Sequence, residues 1–169
     1  MSFSQILEDW ELWSRSYYNP THFEMRGGAF GTILGPQKDG VGVNGELVLP
    51  KMFTTVGFTD ILIPRLDLGG TASVTGKTSY AYADMLWTLN YTNHIFGEFA
   101  FGIADNDGPS SQLGCSEMFL LGANFGYRFD THWSAMLSFQ HVSNGEPHFS
   151  ACSHNDGLNN LGLRFGYDF

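Results

Sequence analysis

The sequence predicts an all-β fold, an eight-stranded antiparallel transmembrane β-barrel, and three observations carry that prediction. Apolar side chains recur at every second position through eight segments, as strands with one greasy face require. The alternate positions of the same segments collect charges, so the polar face is the one that must be enclosed. No run of about 18 uninterrupted apolar residues exists, which excludes a spanning helix and leaves strands as the route across a bilayer.

Residues 1–22 stand apart from the remainder. Phe3, Ile6, Leu7, Trp10, Trp13 and Tyr17 recur at helical spacing with Glu8, Asp9 and Glu11 among them. This is either a short amphipathic helix at the membrane surface or an irregular leader to the first strand. The barrel is expected over residues 23–169. Residues 23–34 put Phe23, Met25, Gly27, Ala29 and Ile33 on one face, and Gly35-Pro-Gln-Lys-Asp-Gly40 turns the chain. Residues 41–52 return with Leu47 and Leu49. Residues 61–74 align Leu62, Pro64, Leu66 and Leu68, and residues 79–91 align Met85, Trp87, Leu89 and Tyr91.

A tight turn at Thr92-Asn93-His94 leads into residues 95–105, with Ile95, Phe99, Phe101 and Ile103 together. After the polar loop Asn106-Asp-Gly-Pro-Ser-Ser-Gln112, residues 116–129 show Phe119, Leu121, Phe125, Tyr127 and Phe129. Asp130-Thr-His132 turns into residues 133–144, where Trp133, Ala135, Leu137 and Phe139 line up. A long loop precedes the last strand, in which Leu161, Leu163, Phe165, Tyr167 and Phe169 alternate with Asn160, Gly162, Arg164, Gly166 and Asp168. Eight is an even count, and the connections alternate roughly long and short, as in outer-membrane barrels.

The opposite faces hold Glu24, Arg26, Glu46, Arg65, Asp67, Asp84, Glu98, Arg128 and Arg164. A soluble lipocalin-like carrier would show the reverse, an apolar interior under a polar coat. An eight-stranded barrel is narrow enough for side chains to fill its lumen, where these charges pair as structural salt bridges. Composition agrees. The net charge of −9 and only eight Lys plus Arg exclude a nucleic-acid footprint. Abundant aromatics exclude disorder. Residues 1–10 lack the basic start and apolar core of a secretory signal, so location in a bacterial outer membrane requires that a signal has already been removed.

The chemistry-bearing stretch is Phe139-Gln140-His141-Val142-Ser143-Asn144-Gly145. His141 and Ser143 are two apart on one strand, hence on the same face, with Cβ atoms roughly 6.5–7 Å apart. That face also carries Trp133, Ala135, Leu137 and Phe139, so both side chains look outward at the upper edge of the lipid. A neutral imidazole beside a hydroxyl takes its proton as the oxygen attacks an ester. Asn144-Gly145 lets the backbone turn, aiming main-chain N–H groups at a developing oxyanion. By spacing alone, the plainer reading is two polar residues at the wet rim of a barrel.

His141-Val-Ser143-Asn144-Gly145, a loop, Asn155-Asp-Gly157-Leu-Asn159 and the closing Arg164-Phe-Gly-Tyr-Asp-Phe169 resemble the lipid A 3-O-deacylase (PagL) family over about the last thirty residues. The resemblance implies an eight-stranded outer-membrane serine esterase that removes the ester-linked 3-hydroxyacyl chain at the 3-position of lipid A, with lipid A or lipopolysaccharide as substrate and no cofactor. It implies Ser143 as nucleophile and His141 as base, with Asn144 and the backbone of Gly145 at the oxyanion. Where some members carry a glutamate that orients the histidine, this chain has Asn159. An amide oxygen can accept the histidine Nδ1–H, as in Cys-His-Asn proteases, but adds no negative charge. Asp156 and Glu146 are the alternative sources of charge, with Glu117 more remote.

His148, Cys152, His154 and Asp156 are legitimate ligand types, but their spacing matches no metal pattern, so no metal site is expected. Cys115 and Cys152 are compatible with one disulfide in an oxidising compartment and equally with two unrelated thiols. The competing functional class is a non-catalytic small outer-membrane barrel with a structural or loop-mediated binding role.

Overall fold

The structure, a computed structural model, describes residues 20–55, 57–108, 113–144, 152 and 157–169. The leader or helix expected over residues 1–22 lies almost wholly outside the described residues. Eight antiparallel strands close into a barrel in sequence order: β1 (Glu24–Leu34), β2 (Val41–Val48), β3 (Arg65–Ser73), β4 (Tyr80–Asn90), β5 (Ile95–Asn106), β6 (Glu117–Arg128), β7 (Trp133–Ser143) and β8 (Leu158–Asp168). Closure runs through the β1–β8 ladder, where Glu24 faces Asp168 and Gly31 faces Leu161. No edge strand is left, as a bilayer demands.

The fold class is therefore the predicted one, with two boundary corrections. The second strand stops at Val48 and the third begins at Arg65, not near residues 52 and 61. Pro50 and Pro64 explain both limits, because proline donates no ladder hydrogen bond. Between them lies a 3-10 helix, Gly57–Leu62, so Leu62 and Pro64 do not join the strand face expected for them. The Trp87 Nε1–H donates to the Leu62 carbonyl at 3.1 Å, and Lys51 pairs with Asp60 at 2.7 Å, holding this connection against the barrel.

Alternation decides inside from outside. Met25, Leu66, Met85, Phe99, Phe125, Leu137, Leu163 and Phe165 are exposed on the outer wall, while all nine charged residues assigned to the opposite face are buried. Water would not tolerate that outer surface. Hydrocarbon does. One rim carries the C-terminal Phe169 together with packed aromatics: Trp133 and Tyr167 lie 4.8 Å apart, Tyr167 and Phe169 5.2 Å, and Tyr127 and Phe129 5.6 Å, between ring centroids. We call this the lower rim. On its β6–β7 turn the Asp130 carboxylate accepts the N–H groups of Trp133 and His132, which hold it below the usual carboxylate range.

The β2–β3, β4–β5 and β6–β7 strand ends meet at the lower rim; the β1–β2, β3–β4, β5–β6 and β7–β8 strand ends meet at the upper rim. The β2–β3 connection breaks the expected alternation of long and short loops.

The lumen is filled in layers. At mid-height Arg26 makes two-pronged contacts to Glu24 and to Glu98, all between 2.7 and 2.8 Å, and Arg164 pairs with Glu46 at 2.9 Å. Toward the upper rim buried polar groups such as Gln140 and Asn160 share the interior with an apolar cluster. Leu113 from the β5–β6 connection packs with Met118, Leu120, Val142 and Leu158, each at most 3% exposed. This packing fills the lumen beneath the β5–β6 connection.

Candidate active site

The site lies where β7 and β8 approach the upper rim. His141 on β7 faces Leu121 on β6 and Asn159 on β8, and Ser143 faces Phe119 on β6. Both side chains are half-buried and share the outward face with Leu137 and Phe139. The intervening Val142 points inward, fully buried against Leu158. Period-two alternation thus sets an apolar anchor behind the wall and two reactive groups in front of it.

Across the β7–β8 ladder, His141 Nδ1 lies 2.9 Å from Asn159 Oδ1. An amide oxygen only accepts, so the proton sits on Nδ1 and the lone pair is left on Nε2. Asn159 is thus the residue in contact with the imidazole Nδ1. Glu117 lies near the same rim on β6, but the Nδ1 contact goes to Asn159. Glu146, Asp156 and Gly145 lie outside the described residues.

Gly157 closes the site from the β8 side. Its φ of +35° falls in the region that L side chains rarely adopt. A Cβ built there would lie 3.3 Å from His141 Cε1 and 3.6 Å from Ser143 Cβ. Both residues of the pair thus converge on one small space beside a residue without a side chain. Within the motif quoted from the sequence, Gly157 had no role assigned. The compatible signal was Asn155-Asp-Gly157 opening a strand, but only the fold reveals what this glycine touches.

Asn144 departs from the expectation. Following Ser143 by one residue, its side chain points to the other face; it is 1% exposed, and its Nδ2 donates to the Leu113 carbonyl at 2.9 Å. That amide anchors the top of β7 to the β5–β6 connection, and Asn144 also lines the depression described below. Parity alone carried its inward direction.

Cys115 and Cys152 form a disulfide, with Cα atoms 5.6 Å apart, joining the β5–β6 and β7–β8 connections. This decides between the two sequence readings, and it removes Cys152 from the ligand types considered for a metal. His148, His154 and Asp156 lie outside the described residues.

Beside Ser143 the outer wall is concave. A depression of about 700 Å³ is lined by Ala81, Ala83, Ile103, Phe119, Cys115 and Cys152, among others. Ala83, Ile103, Phe119 and Ser143 are successive partners across β4, β5, β6 and β7, so the depression runs directly away from the serine. Ala81 and Ala83 on β4, with Gly70 beside Ala81 on β3, present little bulk next to Ile103 and Phe119.

Comparison with known proteins gives a consistent picture. A family model described as lipid A 3-O-deacylase (PagL) matches residues 7–168. Among solved structures, the N-terminal β-barrel domain of Pseudomonas aeruginosa OprF is 15% identical, with 88% of this chain and 98% of that chain covered and a TM-score of 0.61. The outer membrane enzyme PagL is 19% identical, with 84% and 97% covered and a TM-score of 0.59. A de novo designed transmembrane β-barrel is 11% identical, with 90% and 99% covered and a TM-score of 0.60. At such identities these likenesses show the fold alone. No curated protein matches the chain.

Proposed function

The chain belongs to the lipid A 3-O-deacylase (PagL) family, and from that premise we propose that it is an outer-membrane serine esterase acting on the 3-position acyl chain of lipid A. The observation that carries the proposal is the 2.9 Å contact between His141 Nδ1 and Asn159 Oδ1, on the same outward face as Ser143. A barrel with a purely structural role has no need of an oriented imidazole beside a hydroxyl on its lipid-facing wall.

The chemistry follows from this arrangement. Ser143 Oγ bonds to the ester carbonyl carbon while its proton passes to His141 Nε2, the nitrogen that Asn159 leaves unprotonated. The family resemblance assigns the developing oxyanion to backbone N–H groups near Gly145, which lies outside the described residues. The adduct then collapses: the bond from the carbonyl carbon to the sugar 3-oxygen breaks, and that oxygen takes the proton from Nε2. Water adds to the acyl-enzyme with His141 again as base, releasing a 3-hydroxy fatty acid and regenerating Ser143.

Location supports the same reading. The upper rim faces the outer leaflet, where the glucosamine–acyl boundary of lipid A meets the end of β7. The depression over Ala81 and Ala83 accepts the acyl chain as it descends into the hydrocarbon. A substrate approaching in the membrane plane reaches Ser143 without leaving its leaflet.

The decisive experiment is mass spectrometry of lipid A after incubation with the protein and with Ser143→Ala. The proposal expects loss of one 3-hydroxyacyl chain with the parent protein only. Equal loss with both, or none with either, overturns it and favours the non-catalytic barrel, which also predicts no covalent labelling of Ser143 by a serine-directed phosphonate.

A further inference from the structure

We infer that Tyr80, inside the lumen on β4, is a positioning residue for the His141–Asn159 pair on the outside of the opposite wall. The inference rests on the reading of His141 and Ser143 as the reacting pair. The Tyr80 hydroxyl donates to Gln140 Oε1 at 2.7 Å and accepts from Asn160 Nδ2 at 2.9 Å. Gln140 and Asn160 are direct partners across β7 and β8, and theirs is the rung adjoining His141 and Asn159. Thr32 Oγ1 on β1 adds a bond to Asn160 Oδ1 at 2.8 Å. Tyr80, Gln140 and Asn160 are each at most 5% exposed.

Topology gives this arrangement its meaning. In a closed ring of eight strands β4 stands across the lumen from β8. Tyr80 is therefore a strut from the far wall, short enough to span because the barrel is narrow. Above the Gln140–Asn160 rung only the pairs His141–Asn159 and Val142–Leu158 remain before the strands part. Ladder ends open more readily than ladder centres. One hydroxyl shared by both strands fixes their separation and their sliding just below the rung that orients the imidazole.

Removing the hydroxyl leaves two buried polar groups short of a partner, and they regain partners only by shifting. A shift there is passed through the backbone to the outward side chains one residue on. Misplacement of a reacting group by about 1 Å costs on the order of a hundredfold in rate. The acyl-binding depression on the outer wall is not lined by this strut, so substrate binding is spared.

The test compares Tyr80→Phe with Thr88→Val in refolded, full-length protein. Thr88→Val removes an equally buried hydroxyl from the same strand, one that serves Glu98 away from the site. The first readout is the His141 ring N–H signal in 15N-histidine NMR, which reports the Asn159 contact whether or not the protein turns over lipid A. The second is kinetics. The inference expects Tyr80→Phe to lose or broaden the Nδ1–H signal and to lower kcat about ten- to a hundredfold at unchanged KM, while Thr88→Val keeps both. Gln140→Met removes the acceptor from the other end and should reproduce Tyr80→Phe, which covers the case of a variant that fails to refold. A retained signal and rate in Tyr80→Phe, or equal damage in Thr88→Val, overturns the inference. An inactive parent protein overturns the esterase reading instead, and the NMR signal still decides the strut.

Discussion

His141 and Asn159 face each other across the last rungs of the β7–β8 ladder, with Nδ1 and Oδ1 2.9 Å apart. The contact fixes the tautomer but brings no charge to the imidazolium that forms during acyl transfer. Asn159→Glu supplies that charge. A carboxylate there stabilises the imidazolium as Ser143 attacks, so Asn159→Glu should raise kcat about tenfold. Asn159→Ala should lower kcat at least tenfold with KM little changed. Both are read from turnover of purified lipid A. Unchanged turnover in both variants would show that another group orients the ring.

Much of this was legible in the sequence, for one physical reason. Strand parity is a binary signal repeated many times over, so Glu24, Arg26, Glu46 and Arg164 could be assigned to a lumen before any coordinates. The same parity set His141, Ser143 and Asn159 on one wall. It also held the correct orientation of Asn144, which the oxyanion expectation passed over. What parity cannot express is contact between distant rungs. Leu113 behind Asn144, Gly157 against His141 and Tyr80 across the lumen depend on register and barrel diameter, which no local pattern encodes. Pro50 and Pro64 are local punctuation, and their missing donors end β2 at Val48 and delay β3 to Arg65.

Gly157 is predicted to be intolerant of a methyl group. Its φ of +35° and the close neighbours His141 Cε1, Val142 O and Ser143 Cβ leave little room for a Cβ. Gly157→Ala should cost about 1–2 kcal/mol of local backbone strain. It should also push the imidazole away from Ser143, lowering kcat tenfold or more. The barrel itself should survive, since β8 begins at Leu158 and its ladder is untouched. Gel mobility before and after heating checks the fold, and acyl release checks the site. Full activity in Gly157→Ala would refute the crowding argument.

Reduction of Cys115–Cys152 tests how far the upper connections hold the site. The bridge spans 37 residues and ties the β7–β8 connection, which joins Ser143 to Asn159, to the β5–β6 connection that carries Leu113. In the chain-entropy view such a closure stabilises by about 3–4 kcal/mol. Because the ladders persist without it, a reductant or Cys115→Ser with Cys152→Ser should leave the barrel folded but slow turnover several-fold. The comparison to make is activity with and without reductant in the parent and in the double serine variant. Only the parent should respond.

The largest stability effect is expected from Glu98, far from the chemistry. Its carboxylate accepts two bonds from Arg26 at 2.7 and 2.8 Å, one from Asn124 at 2.9 Å and one from Thr88 at 3.2 Å, drawing β1, β6 and β4 toward β5. Arg26 is 4% exposed, so its charge cannot escape to water. Glu98→Ala leaves that guanidinium with Glu24 and a longer 3.3 Å contact to Glu46. Breaking a buried pair from one side costs about 3–5 kcal/mol. Glu98→Gln keeps the shape and one acceptor but sets an amide N–H₂ against donors, so a loss of about 1–3 kcal/mol is expected. Urea unfolding in lipid vesicles, followed by tryptophan fluorescence, should rank the proteins parent, Gln, Ala, with turnover per folded molecule unchanged. Equal midpoints for Ala and parent would mean that Glu24 and Glu46 alone satisfy Arg26, and that the lumen carries one carboxylate more than its arginines require.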